Sequence, residues 1–450
     1  MPNSLPDTAA AGMPPMARWA PVWIIVFAAL WPAPGIAEAV LALGALSTTA
    51  VLVWRWRARK PVLLSRPALL LVAGLFAAYW LPQLFSAVAA AEPGKVLGKA
   101  AAGLRYLPFM CLAAIAVATT ARRRLAFAGL AVITAVWTLD ALLQAVTGTS
   151  PLFWAMDQLK WQLNGHGLCT AAEVAAADRL SGVFGPCNLK FGQVLASLSP
   201  FLLFAAAARW GRAGWLLAVA LVGVVLVLAG SRASWISYAL VLLLSGWRLL
   251  GGRWMVLLML AGLSAIVVLG SVSPQVQQRL ARTELMLQGD PAAVDQALAG
   301  RLSIWKAALC MVREHPLTGV GVRNFREVYP QCDPSPEQTA AWGGGVAFHA
   351  HQVVLEVLAE TGIVGLLSWL AGAWLALRAW WRAGHAARER ARPAALALLV
   401  TVFPLNTHLA FYSSFWGGLA LLLLALYAGA LQAADDEDRV PAAAQRRPAE

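Results

Sequence analysis

Six basic side chains of this chain are of the types that hold an anion and move a proton. They are Arg179, Lys190, Arg232, Arg301, His349 and His351. Guanidinium groups stay protonated and grip phosphate through paired, charge-assisted hydrogen bonds. Two or three of them neutralise a pyrophosphate leaving group without a metal ion. An imidazole that titrates near neutrality takes a proton from an attacking hydroxyl. Arg232 stands in Ala229-Gly-Ser-Arg-Ala-Ser-Trp235, between two apolar runs with almost no loop. Arg301 opens Gly300-Arg-Leu-Ser-Ile-Trp305, the start of a helical pattern. The two histidines lie in Phe348-His-Ala-His-Gln352, just before a long apolar segment. Arg179 and Lys190 flank a Gly/Pro-containing turn, where contact with lipid headgroups competes with a role in the site. Two histidines at i and i+2 without an acidic or cysteine partner make a poor metal site, and the expected metal set is empty.

The elements that must carry these residues are membrane spans. Of the 450 residues 60% are hydrophobic and 13% charged, and repeated runs match the ~20 apolar residues that cross a bilayer. Spans are expected near 17–31, 35–54, 68–90, 101–119, 125–146, 188–208, 213–229, 233–250, 254–272, 352–377, 394–411 and 413–432. The fold class is thus all-α and polytopic, with about twelve transmembrane helices and a large, partly helical external loop. Alternate connections are basic, among them Arg55–Lys60, Arg122–Arg124, Arg209 with Arg212, Arg248 with Arg253, and Arg378–Arg392. Short cytoplasmic loops accumulate Lys and Arg, so both termini are expected in the cytoplasm and all six candidate residues on the external face. The formal charge of +13 reflects orientation and contact with anionic membrane lipids rather than nucleic acid.

The expected organisation is an N-terminal transmembrane region (1–272, about nine spans, with an external middle loop at 147–187). An external loop domain (273–351), a C-terminal transmembrane region (352–432) and a disordered cytoplasmic tail (433–450) follow. In the loop domain seven Lys/Arg face seven Asp/Glu between Arg279 and Glu337. An anion site there must come from the placement of particular arginines and not from net charge. Ser273–Gly289 and Arg301–Arg313 read as amphipathic helices separated by the turn at Gln288-Gly-Asp-Pro291. Ala37-Glu38-Ala39 looks superficially like a cleavage site, but further spans follow directly and a retained first span is expected. Cys169 pairs with Cys187 or Cys187 with Cys332; Cys111 is read as a small apolar residue inside a span. There is no phosphate-cradling P-loop and no Rossmann glycine pattern, so an activated substrate must bring its own energy.

The motifs, in order, resemble the O-antigen ligase and polymerase superfamily of bacterial membrane glycosyltransferases. They are Arg179…Ser-Gly-Val-Phe-Gly-Pro-Cys-Asn…Gly192, Gly230-Ser-Arg232, Gly300-Arg-Leu-Ser-Ile-Trp305 with His315-Pro-Leu-Thr-Gly-Val-Gly321 and Asn324-Phe325, and His349-Ala-His-Gln352 leading to Glu360-Thr-Gly362. Where the family usually reads His-Asn, this chain has His351-Gln352. The resemblance implies inverting, cofactor-free transfer of a glycan at the periplasmic face of the bacterial inner membrane. The donor would be an undecaprenyl-pyrophosphate-linked glycan and the acceptor a sugar hydroxyl of lipid A–core. Arg232 and Arg301, with Arg179 and Lys190, would hold the pyrophosphate. His351 would act on the acceptor hydroxyl with His349 beside it. A polymerase, a protein O-oligosaccharyltransferase and, from another class, a lipid or glycan transporter built around Asp140 and Glu356 are the alternatives.

Overall fold

The computed structural model describes residues 14–175, 179–272, 277, 281, 291–334 and 346–433. It is helical throughout, with no strand among the described residues. Among the described residues eight helices are long and apolar enough to cross a membrane, and the chain is a multi-pass membrane protein. The amphipathic segment expected at Ser273–Gly289 falls largely outside the described residues, as do the Gly343–Gly345 run and the tail beyond Ala433.

The helices that matter for the site are α1 (Pro15–Ala29), α2 (Pro34–Arg57), α3 (Arg66–Phe85), α4 (Pro93–Gly103), α5 (Tyr106–Ile115) and α6 (Thr120–Thr147). After α7 (Pro151–Asn164) and α8 (Ala171–Ala175) come α9 (Phe191–Leu228), α10 (Arg232–Leu250) and α11 (Gly252–Val272). The segment between α11 and the later helices holds α12 (Pro291–Ala297), α13 (Arg301–Glu314) and α14 (Phe325–Cys332), and α15 (Val353–Arg382), α16 (His385–Thr401) and α17 (Ser414–Leu431) follow.

Most span helices keep one face outward: Leu43, Leu46, Leu70, Val132 and Leu139 are exposed, as residues bathed in acyl chains are. Helix α17 is apolar on every side and almost wholly enclosed, which makes it the central post of the bundle. Glycines let its neighbours approach. A Cβ at Gly429 would stand 2.6 Å from the Ala114 carbonyl oxygen of α5, and one at Gly417 would stand 2.8 Å from that of Phe411. Small residues at such crossings take the place of a hydrophobic driving force, which lipid does not supply between helices.

Two helices are interrupted. In α9, Gly211 takes φ 61°, ψ −145°. A Cβ on Gly214 would lie 2.7 Å from the Ala206 carbonyl oxygen, an i−8 atom that in a straight helix is about 12 Å away. The chain therefore doubles back between Arg209 and Arg212, as the paired segments 188–208 and 213–229 require. In α15 the break is at Gly362 (φ 64°, ψ −163°). The backbone groups freed there are taken up by the segment before α14. Val320 N–H donates to Ala359 O (2.9 Å), Gly321 N–H to Glu360 O (3.1 Å), Ile363 N–H to Pro316 O (2.9 Å) and Val364 N–H to Leu317 O (3.2 Å). The segment before α14 is thus stitched into the bundle through main-chain bonds.

One expected span is corrected. The segment 394–411 is helical only to Thr401, and 402–413 is irregular. Pro404 disfavours the helical conformation of Phe403. Asn406 then occupies the freed carbonyls, its Nδ2 donating to Thr401 O at 2.7 Å. The cysteines pair as Cys169–Cys187, one of the two alternatives, and as Cys310–Cys332, a pairing that replaces Cys187–Cys332.

The Gly362 break is testable. A side chain there needs an unfavourable positive φ and would overlap the Leu317 carbonyl. Gly362→Ala should lower the melting temperature of detergent-purified protein severely or abolish its folding, whereas Gly262→Ala, with open space around it, should leave it unchanged within about 1 °C.

Candidate functional site

Helix starts build the site. Arg232 is the first residue of α10, whose N-cap Ser231 accepts a hydrogen bond from Ser234 N–H. Arg301 is the first residue of α13, following Gly300 in the left-handed region (φ 76°). Asp295 receives the N–H groups of Leu302 (2.8 Å) and Ser303 (3.4 Å) and the hydroxyl of Ser303 (2.7 Å), so the helix start is satisfied without using Arg301. His351 precedes Gln352, the N-cap of α15, whose side-chain oxygen accepts from Leu355 N–H at 2.6 Å. The glutamine standing where asparagine is usual thus caps the helix. Each of these three starts presents the positive end of a peptide dipole, with an arginine at the heads of α10 and α13 and a neutral histidine at that of α15, a combination that favours an anion.

The chain brings the arginines together. Arg179 and Arg232 are electrostatic neighbours of Arg301; burial, then these two charges, hold the Arg301 guanidinium down at about 10, still protonated at neutral pH. Arg232 also donates to Ala297 O (2.6 Å), which fixes α12 beside α10. The Arg179 arm is held by Leu180 N–H donating to Leu228 O (3.4 Å) and Gly182 N–H donating to the Gln144 side-chain oxygen (2.7 Å). Lys190 acts on His349 and, with Arg301 and Arg179, on His408. Its ammonium lies 4.6 Å over the Phe415 ring, and Arg323, not Arg301, is the cation beside it.

The histidines pack edge to face, ring centroids 3.9 Å apart. Trp305 of α13 ties them to the arginine helix by donating to Ala350 O at 3.1 Å. His351 Nδ1 lies 3.0 Å from Thr407 O. A carbonyl only accepts, so Nδ1 carries the proton and Nε2 keeps its lone pair. Burial, against the Thr407 bond and reinforced by Arg301, pushes His351 down to about 4; burial, then His351 and Arg323, hold His349 well below the usual imidazole range. Both rings are therefore neutral at physiological pH. His349 Nδ1 is buried without a hydrogen-bond partner. His351 also holds φ at +53°, a conformation that costs a non-glycine residue about 1–2 kcal/mol.

Sequence reasoning missed two members. His408, in the irregular stretch after α16, lies 2.8 Å through Nε2 from Ser231 Oγ, next to Arg232. Its signal was present in Asn406-Thr-His408, a polar triplet inside an apolar run, where an ionisable residue marks function by default. Arg323 has φ +63° and nothing in the sequence sets it apart. Below the 402–413 stretch lies an apolar cavity of about 540 Å³, lined by Tyr79, Trp369, Ala376, Pro404, Phe411 and Tyr427 among others. Cys310, Glu314 and Cys332 lie close enough to hold a metal, but the two sulfurs are joined in a disulfide and offer no thiolate.

Residues 194–370 match the family model described as O-antigen ligase, and the match supports the O-antigen ligase/polymerase superfamily. Members of the family are glycosyltransferase-like enzymes of glycan assembly. No curated protein matches the chain. The matched segment contains Arg232, Arg301, Arg323, His349 and His351, while Arg179, Lys190 and His408 lie outside it.

The Arg232 and Arg179 charges act against the buried Arg301 guanidinium, which costs the protein stability. Arg301→Gln should raise its melting temperature by a few degrees. Inorganic pyrophosphate should stabilise the wild type measurably and the variant far less; a thermal-shift titration reads both.

Proposed function

We propose that this member of the O-antigen ligase/polymerase superfamily is an O-antigen ligase. It transfers polysaccharide from undecaprenyl pyrophosphate to a sugar hydroxyl of lipid A–core at the periplasmic face, by inversion and without a metal. The observation that carries the reading is the meeting of Arg179, Arg232 and Arg301 beside the neutral His351. Both substrates are lipid-anchored, and the proposed organisation suits them: termini in the cytoplasm, the 273–351 loop domain outside, and the site at the mouths of the spans. The apolar cavity under the 402–413 stretch gives the polyprenyl tail a seat within the bundle.

The acceptor hydroxyl gives its proton to His351 Nε2 while its oxygen bonds to the anomeric carbon. The bond from that carbon to the diphosphate oxygen breaks on the opposite face, and undecaprenyl pyrophosphate leaves with the electron pair. Charge grows on the departing diphosphate, where Arg179, Arg232 and Arg301 meet it; such preorganised cations act most strongly in the transition state. An imidazole at about 4 is a weak base, but a bound diphosphate offsets the Arg301 charge and raises it. The Thr407 bond keeps the tautomer, so the lone pair needs no rearrangement. His349 orients the acceptor, and His408, through Ser231, steadies the start of α10.

Purified protein given defined lipid-linked glycan and lipid A–core, with chelator and no nucleotide, should yield glycosylated lipid A–core. Chain growth on the undecaprenyl carrier alone would replace ligation by polymerisation. Arg232→Gln and Arg301→Gln should each cut turnover by about 10² or more, and His351→Ala by about 10²–10⁴. Because the folded imidazole sits below its free value, at about 4, the active neutral form persists above that pH and is lost only as pH falls through it. An acid limb of the kcat/KM profile centred at 6.5 or higher would contradict His351 as the base.

A further inference from the structure

Three cations lie on the His349 side of the imidazole pair and are not used by the donor chemistry above. Arg323 follows Gly321-Val322, Lys190 leads into α9, and Lys99 projects from α4. Lys99 Nζ lies 3.4 Å from Arg323 O, and Lys190 is held over Phe415. Chain segments more than 200 residues apart (99 and 323 differ by 224) therefore converge. The charges reach the rings differently: Arg301 acts on His351 and His408, Arg323 acts on His349, and Lys190 acts on both His349 and His408. Two buried carboxyl groups of α15, Glu356 and Glu360, also face Arg323, with Glu360 Oε2 accepting from Arg323 N–H at 2.8 Å. Tyr79 faces it from α3, and Arg326 and Glu327 face Lys99. No salt bridge joins the side chains of Lys99, Lys190 or Arg323 to a carboxylate among the described residues.

Arg323 is also strained. A φ of +63° is glycine territory, and a non-glycine residue there costs on the order of 1 kcal/mol. The neighbouring Gly319 and Gly321 take positive φ as glycines, so the turn could have had a third. An arginine retained at that position places a guanidinium where no backbone argument asks for one.

We propose that Arg323, Lys190 and Lys99 form a second anion subsite, separate from the diphosphate cradle, which takes acidic groups, phosphate above all, on the acceptor saccharide. The histidine pair stands between the two subsites, His351 toward the donor and His349 toward the acceptor. A phosphorylated core oligosaccharide is thereby selected over a neutral one. The inference rests on the ligase reading for its choice of acceptor.

The test uses full-length protein in phosphatidylcholine nanodiscs, which carry no anionic lipid. Binding of lipid A–core is measured without donor, before and after enzymatic removal of the core phosphates. Wild type should bind the phosphorylated form at least about tenfold more tightly. Arg323→Gly relieves the backbone and keeps the fold, and should lose most of that preference; Lys190→Gln should lose part of it. Affinity for the dephosphorylated acceptor and for the undecaprenyl-pyrophosphate donor should stay within about twofold. Equal binding of the two acceptors by wild type, or a preference that survives in Arg323→Gly, overturns the subsite. Donor affinity falling in step with acceptor affinity overturns it too, by assigning these cations to the diphosphate. If the preference holds but no glycan reaches lipid A–core in turnover, the subsite stands and the ligation reading falls.

Discussion

Backbone satisfaction at the membrane boundary is the constraint on which this architecture depends. Hydrocarbon offers no hydrogen bonds, so a chain leaves helical conformation near it only where protein groups take over the freed amides and carbonyls. The break at Gly362 is possible because residues 316–321 supply four main-chain bonds to it. The same bonds fix where Arg323 emerges and set the first two turns of α15 beneath the histidines. The stretch after Thr401 meets the identical problem with side chains, Asn406 capping α16 and Ser413 opening α17. Irregular backbone is what lets polar groups from remote segments reach one place.

A second consequence is electrostatic. Helices that begin at one place point their dipoles together, and here α10, α13 and α15 do so with arginine or histidine at or beside their first turns. Repulsion among these groups is opposed by the bonds that hold their helix starts and neighbouring segments in place. Asp295 satisfies the amides at the head of α13, while Ala297 O holds the Arg232 side chain. The histidines answer by staying neutral. The site is therefore asymmetric in charge: fixed cations that never titrate near neutrality beside imidazoles ready to accept a proton.

This asymmetry explains what was legible in the sequence. Span positions follow from apolar run length, and Arg232 and Arg301 stood out because glycine and serine next to them announce helix starts. The histidine pair was visible because it stands just before a long apolar segment. Hydropathy failed where it averages over a polar triplet: Asn406-Thr-His408 sits in a run apolar enough to count as membrane, and the helix end at Thr401 was lost with it. Arg323 was invisible because its significance lies in a dihedral angle, and composition does not report that. The Cys310–Cys332 pairing depended on α13 and α14 folding against each other, a tertiary fact that cysteine spacing leaves open.

The two disulfides complete the mechanical argument. Cys169–Cys187 closes a loop that contains Arg179, and Cys310–Cys332 closes one that contains Arg323. Neither arginine begins a helix, so neither inherits the anchoring that fixes Arg232 and Arg301. A covalent clasp around each loop supplies the missing restraint by shrinking the space its backbone can explore. Helix starts and disulfides are thus two solutions to one problem, the presentation of a long cationic side chain at a defined point beside the bilayer.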